Sequence, residues 1–277
     1  MRIRSAAKIN PVLNVLGQRA DGYHELQTIM QSVSLYDQLE FARADALEVN
    51  APAGLTERPE QNLVYRAARA FLAKYAPRQG VRITLTKNIP LAAGLAGGST
   101  DCAGTLIGLN KFFALNRPVS ELAAIAAALG SDIVYCLYGG AYLARGRGEI
   151  LQKIPEPPRR PGLILKPPFG LSTAEVYRRC APRPAVDLSL YQHGNSTALA
   201  LQNDLIAPAL SLRPELQNYF HIIEATRPAA YQMSGSGPAI FAFYEDTAAR
   251  DAAFFALNTQ NEVYKIETVP RAQLFSE

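Results

Sequence analysis

Residues 90–101, Pro-Leu-Ala-Ala-Gly-Leu-Ala-Gly-Gly-Ser-Thr-Asp, constrain this chain more than any other stretch. A strand-like run stops at Pro90 and a helix-like run starts near Ser99, so the segment reads as a loop feeding a helix N-terminus. Gly94, Gly97 and Gly98 carry no Cβ, which allows positive φ and a close approach of backbone to ligand. Ser99, Thr100 and Asp101 are good N-cap types, and the free N–H groups of the first helical turn beyond them point back at the loop. Backbone donors, the positive helix end and two hydroxyls suit a polyphosphate chelated to Mg²⁺. The loop is not a P-loop, because Gly98 stands where GxxxxGK[ST] needs its lysine, and it does not fit GxGxxG. Taken alone, it reads as well as a serine-capped structural turn.

The rest of the chain surrounds that loop with α and β signals in both halves. Residues 2–16 read as a strand in which Lys8 and Asn10, two apart, share a face. A polar turn over 17–24 ends in Tyr23-His24, an aromatic beside a two-sided hydrogen-bonder, a combination that suits a pyrimidine. Strands are expected from Leu26 to Phe41, then a hairpin or loop excursion from Ala42 to Glu60. Asn62 is placed to cap a helix running to Tyr75, and 81–89 alternates as the strand that delivers the phosphate loop. A helix is predicted from Thr100 to about Phe113, and a second over 121–129, apolar all round and so expected to be buried. Asp132 precedes an apolar run, where an aspartate serves either as a cap or as a site carboxylate.

Glycines at 139–140 and at 146 and 148 punctuate a hairpin, and four prolines with two arginines over 155–161 break the chain, which sets a domain boundary there. Beyond it come a strand at 162–166, a helix opened by Ser172-Thr173-Ala174-Glu175, and a polar, glutamine-rich linker. A helical stretch is expected from Asn203, continuing over 210–225. A glycine turn at 233–238 leads into a strand, and a last helix and strand follow over 246–258 and 263–269. Tyr177 reads as a core residue on its own merits.

Composition excludes several classes. The net charge of +4 is spread out, and its densest runs, Arg145 to Arg147 and Arg159 to Arg160, are too short to recommend nucleic acid. Three distant cysteines, Cys102, Cys136 and Cys180, support neither a disulfide framework nor a paired metal motif, and a reducing cytoplasmic setting fits them. No apolar run approaches the ~18 residues of a membrane span, and Lys8, Asn10 and Asn14 interrupt any signal-like segment at the start.

Residues 90–101 resemble the ATP-phosphate loop of the GHMP kinase superfamily, whose Pro-x-x-x-Gly-Leu-(Gly/Ala)-Gly-Ser-Ser motif lacks a Walker lysine. Ala7-Lys8-Ile9-Asn10, Asp21-Gly22-Tyr23-His24-Glu25 and Gly130-Ser131-Asp132 are similar to motifs of one branch, which acts on a methylerythritol joined to cytidine diphosphate. The four motifs stand in family order over essentially the whole chain.

The resemblance implies an α+β, two-domain GHMP kinase fold, with a ribosomal-protein-S5-like ATP domain at 1–157, a ferredoxin-like domain at 158–277 and the site between them. It implies ATP and Mg²⁺ as cofactors, with Pro90, Leu91, Ala92, Ala93, Gly94, Leu95, Ala96, Gly97, Gly98, Ser99 and Thr100 about the phosphates. Asn62 would lie near the adenine pocket. Lys8 and Asp132, paired, would be catalytic, with Asn10 beside the substrate hydroxyl. Tyr23 would stack on cytosine, His24 read its polar edge and Tyr177 close its other side. The C-terminal Gly-Ser-Gly segment would pack on the phosphate loop. The metal ligands stay open, with Ser99 or Thr100 as candidates.

Val134 departs from the family pattern, which often has proline there. The implied partner is a small molecule rather than nucleic acid or membrane, and the chain is a monomer or homodimer. The alternatives are another small-molecule kinase of the superfamily, against which Asp-Gly-Tyr-His speaks, and a non-catalytic nucleotide-binding paralogue, against which Lys8 and Asp132 together speak.

Overall fold

The computed structural model describes residues 1–192 and 200–270, so most of the polar linker before Asn203 lies outside the described residues. The first half runs β1 (Arg2–Gln18), β2 (His24–Ala44), β3 (Leu47–Asn50), α1 (Leu63–Tyr75), β4 (Gly80–Thr86), α2 (Gly97–Phe112), α3 (Val119–Leu129), α4 (Ser131–Tyr138), β5 (Ala141–Gly146) and β6 (Ile150–Lys153). The second runs β7 (Pro161–Lys166), α5 (Thr173–Arg178), α6 (Ser189–Gln192), β8 (Gln202–Asn203), α7 (Ile206–Leu212), α8 (Leu216–Glu224), β9 (Ala230–Met233), β10 (Ile240–Phe243), α9 (Thr247–Leu257) and β11 (Glu262–Glu267).

Two sheets result. One follows the order β3-β4-β2-β1-β8, with the β5–β6 hairpin added to the free half of β2, and the other is antiparallel in the order β11-β7-β10-β9. This is an α+β fold.

β1 explains how the layers stack. Every residue from Ser5 to Val15 is buried, which a half-exposed strand never shows, so both of its faces are covered. On one face Ile3 and Ala6 join Leu39, Phe41 and the apolar sides of the helices. On the other, Ala7 and Ile9 meet Ile164 and Phe241 of the second sheet. α1 is held by Asn62, whose Oδ1 accepts the Val64 N–H at 2.8 Å, and it buries Val64, Ala67, Ala68, Phe71 and Leu72 at helical spacing. α2 lies unusually close to the sheet because two of its inward positions are glycine. A Cβ on Gly104 would fall 2.7 Å from Leu39 Cδ1, and one on Gly108 2.2 Å from Phe41 Cζ.

Four expectations need correction. The 42–60 excursion is no hairpin: β3 lies parallel to β4, and the chain reaches that register through α1. α3 buries only Leu122, Ile125 and Ala126 and leaves Ala124, Ala127 and Ala128 exposed, since alanine's small apolar surface tolerates water. Asn203 is in a strand, pairing with Leu13, and the helix begins only at Ile206. The 210–225 helix is broken between α7 and α8 at Arg213 to Glu215, where Pro214 interrupts it. Among the described residues no helix is long and apolar enough to cross a membrane.

The glycine contact between α2 and β2 makes Gly108→Val an overpacking variant that should lose about 1–3 kcal/mol, read as a lower urea midpoint. An unchanged midpoint would mean that α2 does not rest on Phe41.

Candidate active site

The glycine loop is wound more tightly than its sequence suggests. Positive φ falls on Ala92 (49°), Gly94 (76°) and Ala96 (57°), while Gly97 and Gly98 are already helical. Ala96 is the N-cap of α2, so Ser99 and Thr100 occupy the first turn, Asp101 follows it, and none of the three is a cap. The first intrahelical bond is Thr100 N–H to Ala96 O, 2.9 Å, which leaves the N–H groups of Gly97, Gly98 and Ser99 as the outward donors of the turn. The glycines at 97 and 98 thus serve helix packing and clearance, and two alanines accept the strained conformation.

Three elements hold the loop in place. The Lys8 N–H donates to Leu95 O at 3.1 Å, and the Ala239 N–H to Ala93 O at 3.3 Å. The Ser234 hydroxyl donates to Gly94 O at 3.0 Å. Any side chain at Gly94 would strike Ser234 O at 2.1 Å, so the C-terminal Gly-Ser-Gly turn does pack on the phosphate loop.

Lys8 lies at the centre of this junction, 5% exposed. Its Nζ donates to Asn10 Oδ1 at 2.6 Å and to Gly94 O at 2.8 Å. Asn10 is oriented from behind: its Nδ2 donates to Thr28 Oγ1 at 2.9 Å, whose hydroxyl donates to Val12 O at 2.6 Å. That chain of donors turns the Asn10 oxygen toward the ammonium. Burial pulls the Lys8 ammonium below the usual lysine range, and the negative charge of Asp132, followed by Cys136, works against that fall.

Asp132 stands at the second position of α4, after Gly130, where the helix end favours a carboxylate. Val134 continues the same helix and packs in the core, so the missing proline does not displace it. The expected Lys8–Asp132 ion pair is not closed. The two side chains face one cavity and feel each other's charge, but the ammonium's direct partners are Asn10 and Gly94.

That cavity, about 810 Å³, brings together Lys8, Asn10, Tyr23, His24, Asp132, Tyr177 and the loop from Pro90 to Gly98. Asn62, Ser99 and Thr100 do not line it. The Asn62 oxygen is occupied by the α1 cap, and Thr100 is buried. Leu63, next to Asn62, would lie 3.5 Å from a Cβ on Gly98, which puts the start of α1 beside the start of α2. Tyr177 contacts His24 directly, ring centroids 5.2 Å apart, so no base can enter between those two rings. Tyr23, His24 and Tyr177 all line the cavity, so this contact braces His24 and leaves open the expected place of Tyr177, across the base from Tyr23. Tyr23 is 54% exposed and presents its ring to the cavity.

Known proteins are similar to this chain over most of its length. The pattern for the GHMP kinases N terminal domain matches residues 62–140, and that for GHMP kinases C terminal matches residues 188–263. The 4-diphosphocytidyl-2-C-methyl-D-erythritol kinase of Shouchella clausii is 38% identical, covering 96% of this chain and 94% of its own. That of Moorella thermoacetica is 43% identical over 89% and 91%. A crystal structure of 4-(cytidine 5'-diphospho)-2C-methyl-D-erythritol kinase superposes with a TM-score of 0.86 at 32% identity, covering 97% of this chain and all (100%) of that one. The chain belongs to the 4-diphosphocytidyl-2-C-methyl-D-erythritol kinase family of GHMP kinases. Homoserine kinase from Cytophaga hutchinsonii, at 20% identity and a TM-score of 0.71, shares the fold.

Two features of this kinase escaped the sequence reading. Arg147, Thr173, Arg178 and Ser236 also line the cavity, and Thr173 Oγ1 and Ser236 Oγ, 2.9 Å apart, join α5 to the glycine turn. The signal for Arg147 was available, a basic residue set between two glycines at a hairpin tip. The second feature is a buried charge cluster beneath the phosphate loop. Lys87 binds Asp37 and, at 2.7 Å, Asp101, whose other oxygen accepts the Ser5 hydroxyl at 3.1 Å. Asp37 also accepts the N–H groups of Asn88 and Ile89, at 2.6 and 2.8 Å. The cluster ties β2 and the exit of β4 to Asp101, just past the first turn of α2. No residue spacing announces it, because its members are far apart in sequence.

One ammonium shared by two buried carboxylates cannot compensate both. Burial pushes the Asp101 carboxyl up from 3.8 to about 7, Lys87 opposing and the Asp37 charge adding to the rise. A folded-state value above the unfolded one means that this group's contribution to stability is fully present below about pH 4 and is lost as pH rises to about 7. Asp101→Asn should flatten that part of the stability profile in urea melts between pH 4.5 and 7.5. Parallel profiles for the two proteins would contradict the assignment.

Proposed function

We propose that the chain transfers the terminal phosphoryl group of ATP to the 2-hydroxyl of 4-diphosphocytidyl-2-C-methyl-D-erythritol, in the non-mevalonate route to isoprenoid precursors. One observation carries this reading: a single cavity joins the glycine loop, the Lys8–Asn10 pair and Asp132 to the Tyr23–His24 aromatics. A ligand filling it would touch a phosphate cradle, a reacting hydroxyl site and a base site in that order. The names of the relatives at 38–43% identity support the same substrate.

Lys8 and Asp132 are the proposed catalytic residues. Lysine has three N–H donors, of which two are engaged by Asn10 and Gly94, so the third is free to meet the acceptor oxygen and the charge developing on the transferred group. Asp132 makes no hydrogen bond or ion pair among the described residues and is open to accept the proton of the substrate hydroxyl or to orient it. Loose phosphoryl transfer asks for position and charge neutralisation more than for base strength. Burial under the loop makes the Lys8 charge more effective than it would be in water. Gly97, Gly98 and Ser99 N–H groups are the proposed phosphate donors, and Leu63 with Asn62 the proposed neighbours of the adenine.

Magnesium fits this donor set only as an ion carried in by the nucleotide. Among the described residues no group of three or more His, Cys, Asp or Glu could hold a metal, and the Asp101 carboxylate is already engaged by Lys87 and Ser5. Mg²⁺ characteristically keeps waters and binds phosphate oxygens with few protein ligands. Ser99, at the cradle and less buried than Thr100, is the candidate protein ligand, and the ion would neutralise phosphate charge. We further propose the 157/158 division between ATP-binding and C-terminal domains, and a cytoplasmic setting.

The test is a substrate panel. Purified protein with Mg-ATP should release ADP on addition of the cytidine substrate and not with homoserine or mevalonate. Asp132→Asn should lower kcat by roughly 10²–10⁴-fold with ATP affinity retained. Activity on another panel member in place of the cytidine compound would overturn the substrate, and unchanged turnover in the variant would remove Asp132 from the mechanism.

A further inference from the structure

The tip of the β5–β6 hairpin forms the wall between the base site and the acceptor site. Glu25, directly after His24, fixes that tip: its Oε1 accepts the Gly146 N–H at 3.1 Å while its Oε2 takes Arg19 Nη1 at 2.5 Å. The Arg147 N–H closes the turn on Glu149 Oε2 at 2.5 Å. Gly148 follows with φ +104°, and a side chain there would begin 3.7 Å from Asp132 Oδ1. On the other side the Arg147 guanidinium lies over the Tyr23 ring, 4.6 Å from its centroid. One residue therefore touches the exposed aromatic, and the next abuts the carboxylate.

A ligand with its pyrimidine on Tyr23 and its hydroxyl at Asp132 must lay its diphosphate along this wall. Arg147 lines the cavity and its side chain is 33% exposed, within reach of a ligand yet partly shielded from water. Its nearest carboxylate oxygen, Glu149 Oε1, is 3.9 Å from Nε, too far to occupy the guanidinium donors. Cation–π contact with Tyr23 fixes the plane of the fork but uses none of its N–H groups. A planar fork of free donors is the geometry that matches phosphate oxygens in pairs.

We propose that Arg147 binds the diphosphate of the cytidine substrate and sets the preference for a nucleoside diphosphate over the bare nucleoside. This rests on the cytidine reading of the pocket. The test is calorimetric titration of CDP and of cytidine, with the nucleotide cradle filled by a non-hydrolysable ATP analogue. The native protein should bind CDP more tightly than cytidine. Arg147→Ala should weaken CDP about ten- to a hundredfold and change cytidine less than twofold, with Arg147→Lys recovering part of the loss. CDP binding that survives Arg147→Ala, or that falls with Arg178→Ala instead, would overturn the assignment. Equal losses for CDP and cytidine would also overturn it, by reducing Arg147 to a brace for Tyr23. A native protein that binds neither compound would defeat the cytidine reading itself.

Discussion

A buried ammonium holds the site together. Lys8 comes from β1, covered on both faces, yet its two acceptors belong to different parts of the chain, Asn10 beside it and Gly94 in the phosphate loop. A charge taken out of water is costly unless it is hydrogen-bonded, so the loop carbonyl must stay where the ammonium needs it. Gly94 O also accepts the Ser234 hydroxyl, and the absence of a side chain on Gly94 and Gly235 lets the two turns meet at that point. The same contact that satisfies Lys8 thereby fixes the nucleotide loop against the second sheet.

Beneath the loop, a second charged cluster works from the opposite side. Lys87 gathers Asp37 and Asp101 under the first turn of α2, and Gly97 is where the helix passes over it, a Cβ there falling 3.0 Å from Lys87 Nζ. The loop is therefore clamped between two buried lysines, one facing the cavity and one facing the core. Breaking either would leave uncompensated polar groups inside, which is the usual reason such clusters are intolerant of change. Rigidity of this kind suits phosphoryl transfer, where positioning does most of what the protein contributes.

Much of this was legible in the sequence, for identifiable reasons. Alternation and helical spacing placed β1, α1 and β4, and Asn62 announced its cap. Lys8 and Asn10 were legible as a pair because the pleat of a strand puts residues two apart on one face, and the structure joins them at 2.6 Å. The start of α2 was misread because Ser99 and Thr100 look like caps, whereas tertiary contacts stabilise Ala96 in the left-handed conformation two residues earlier than Gly98. The Lys8–Asp132 pairing was too literal: Asn10 lies closer along the strand and takes the ammonium. The Lys87 cluster stayed invisible because it depends on register between strands and helices distant in sequence, and a basic residue between two glycines marked Arg147 as a hairpin tip without showing what that tip faces. Tyr177 was legible on its own only as a core aromatic, and its ring contact with His24 is a matter of how α5 packs, which spacing does not encode.

The most direct measurement is a crystal structure with a non-hydrolysable ATP analogue and the cytidine substrate bound together. The acceptor hydroxyl should lie within hydrogen-bond reach, about 2.6–3.2 Å, of both Lys8 Nζ and an Asp132 oxygen, with the terminal phosphate over the first turn of α2. A hydroxyl bound away from those two side chains, or a nucleotide whose phosphates avoid that turn, would contradict it.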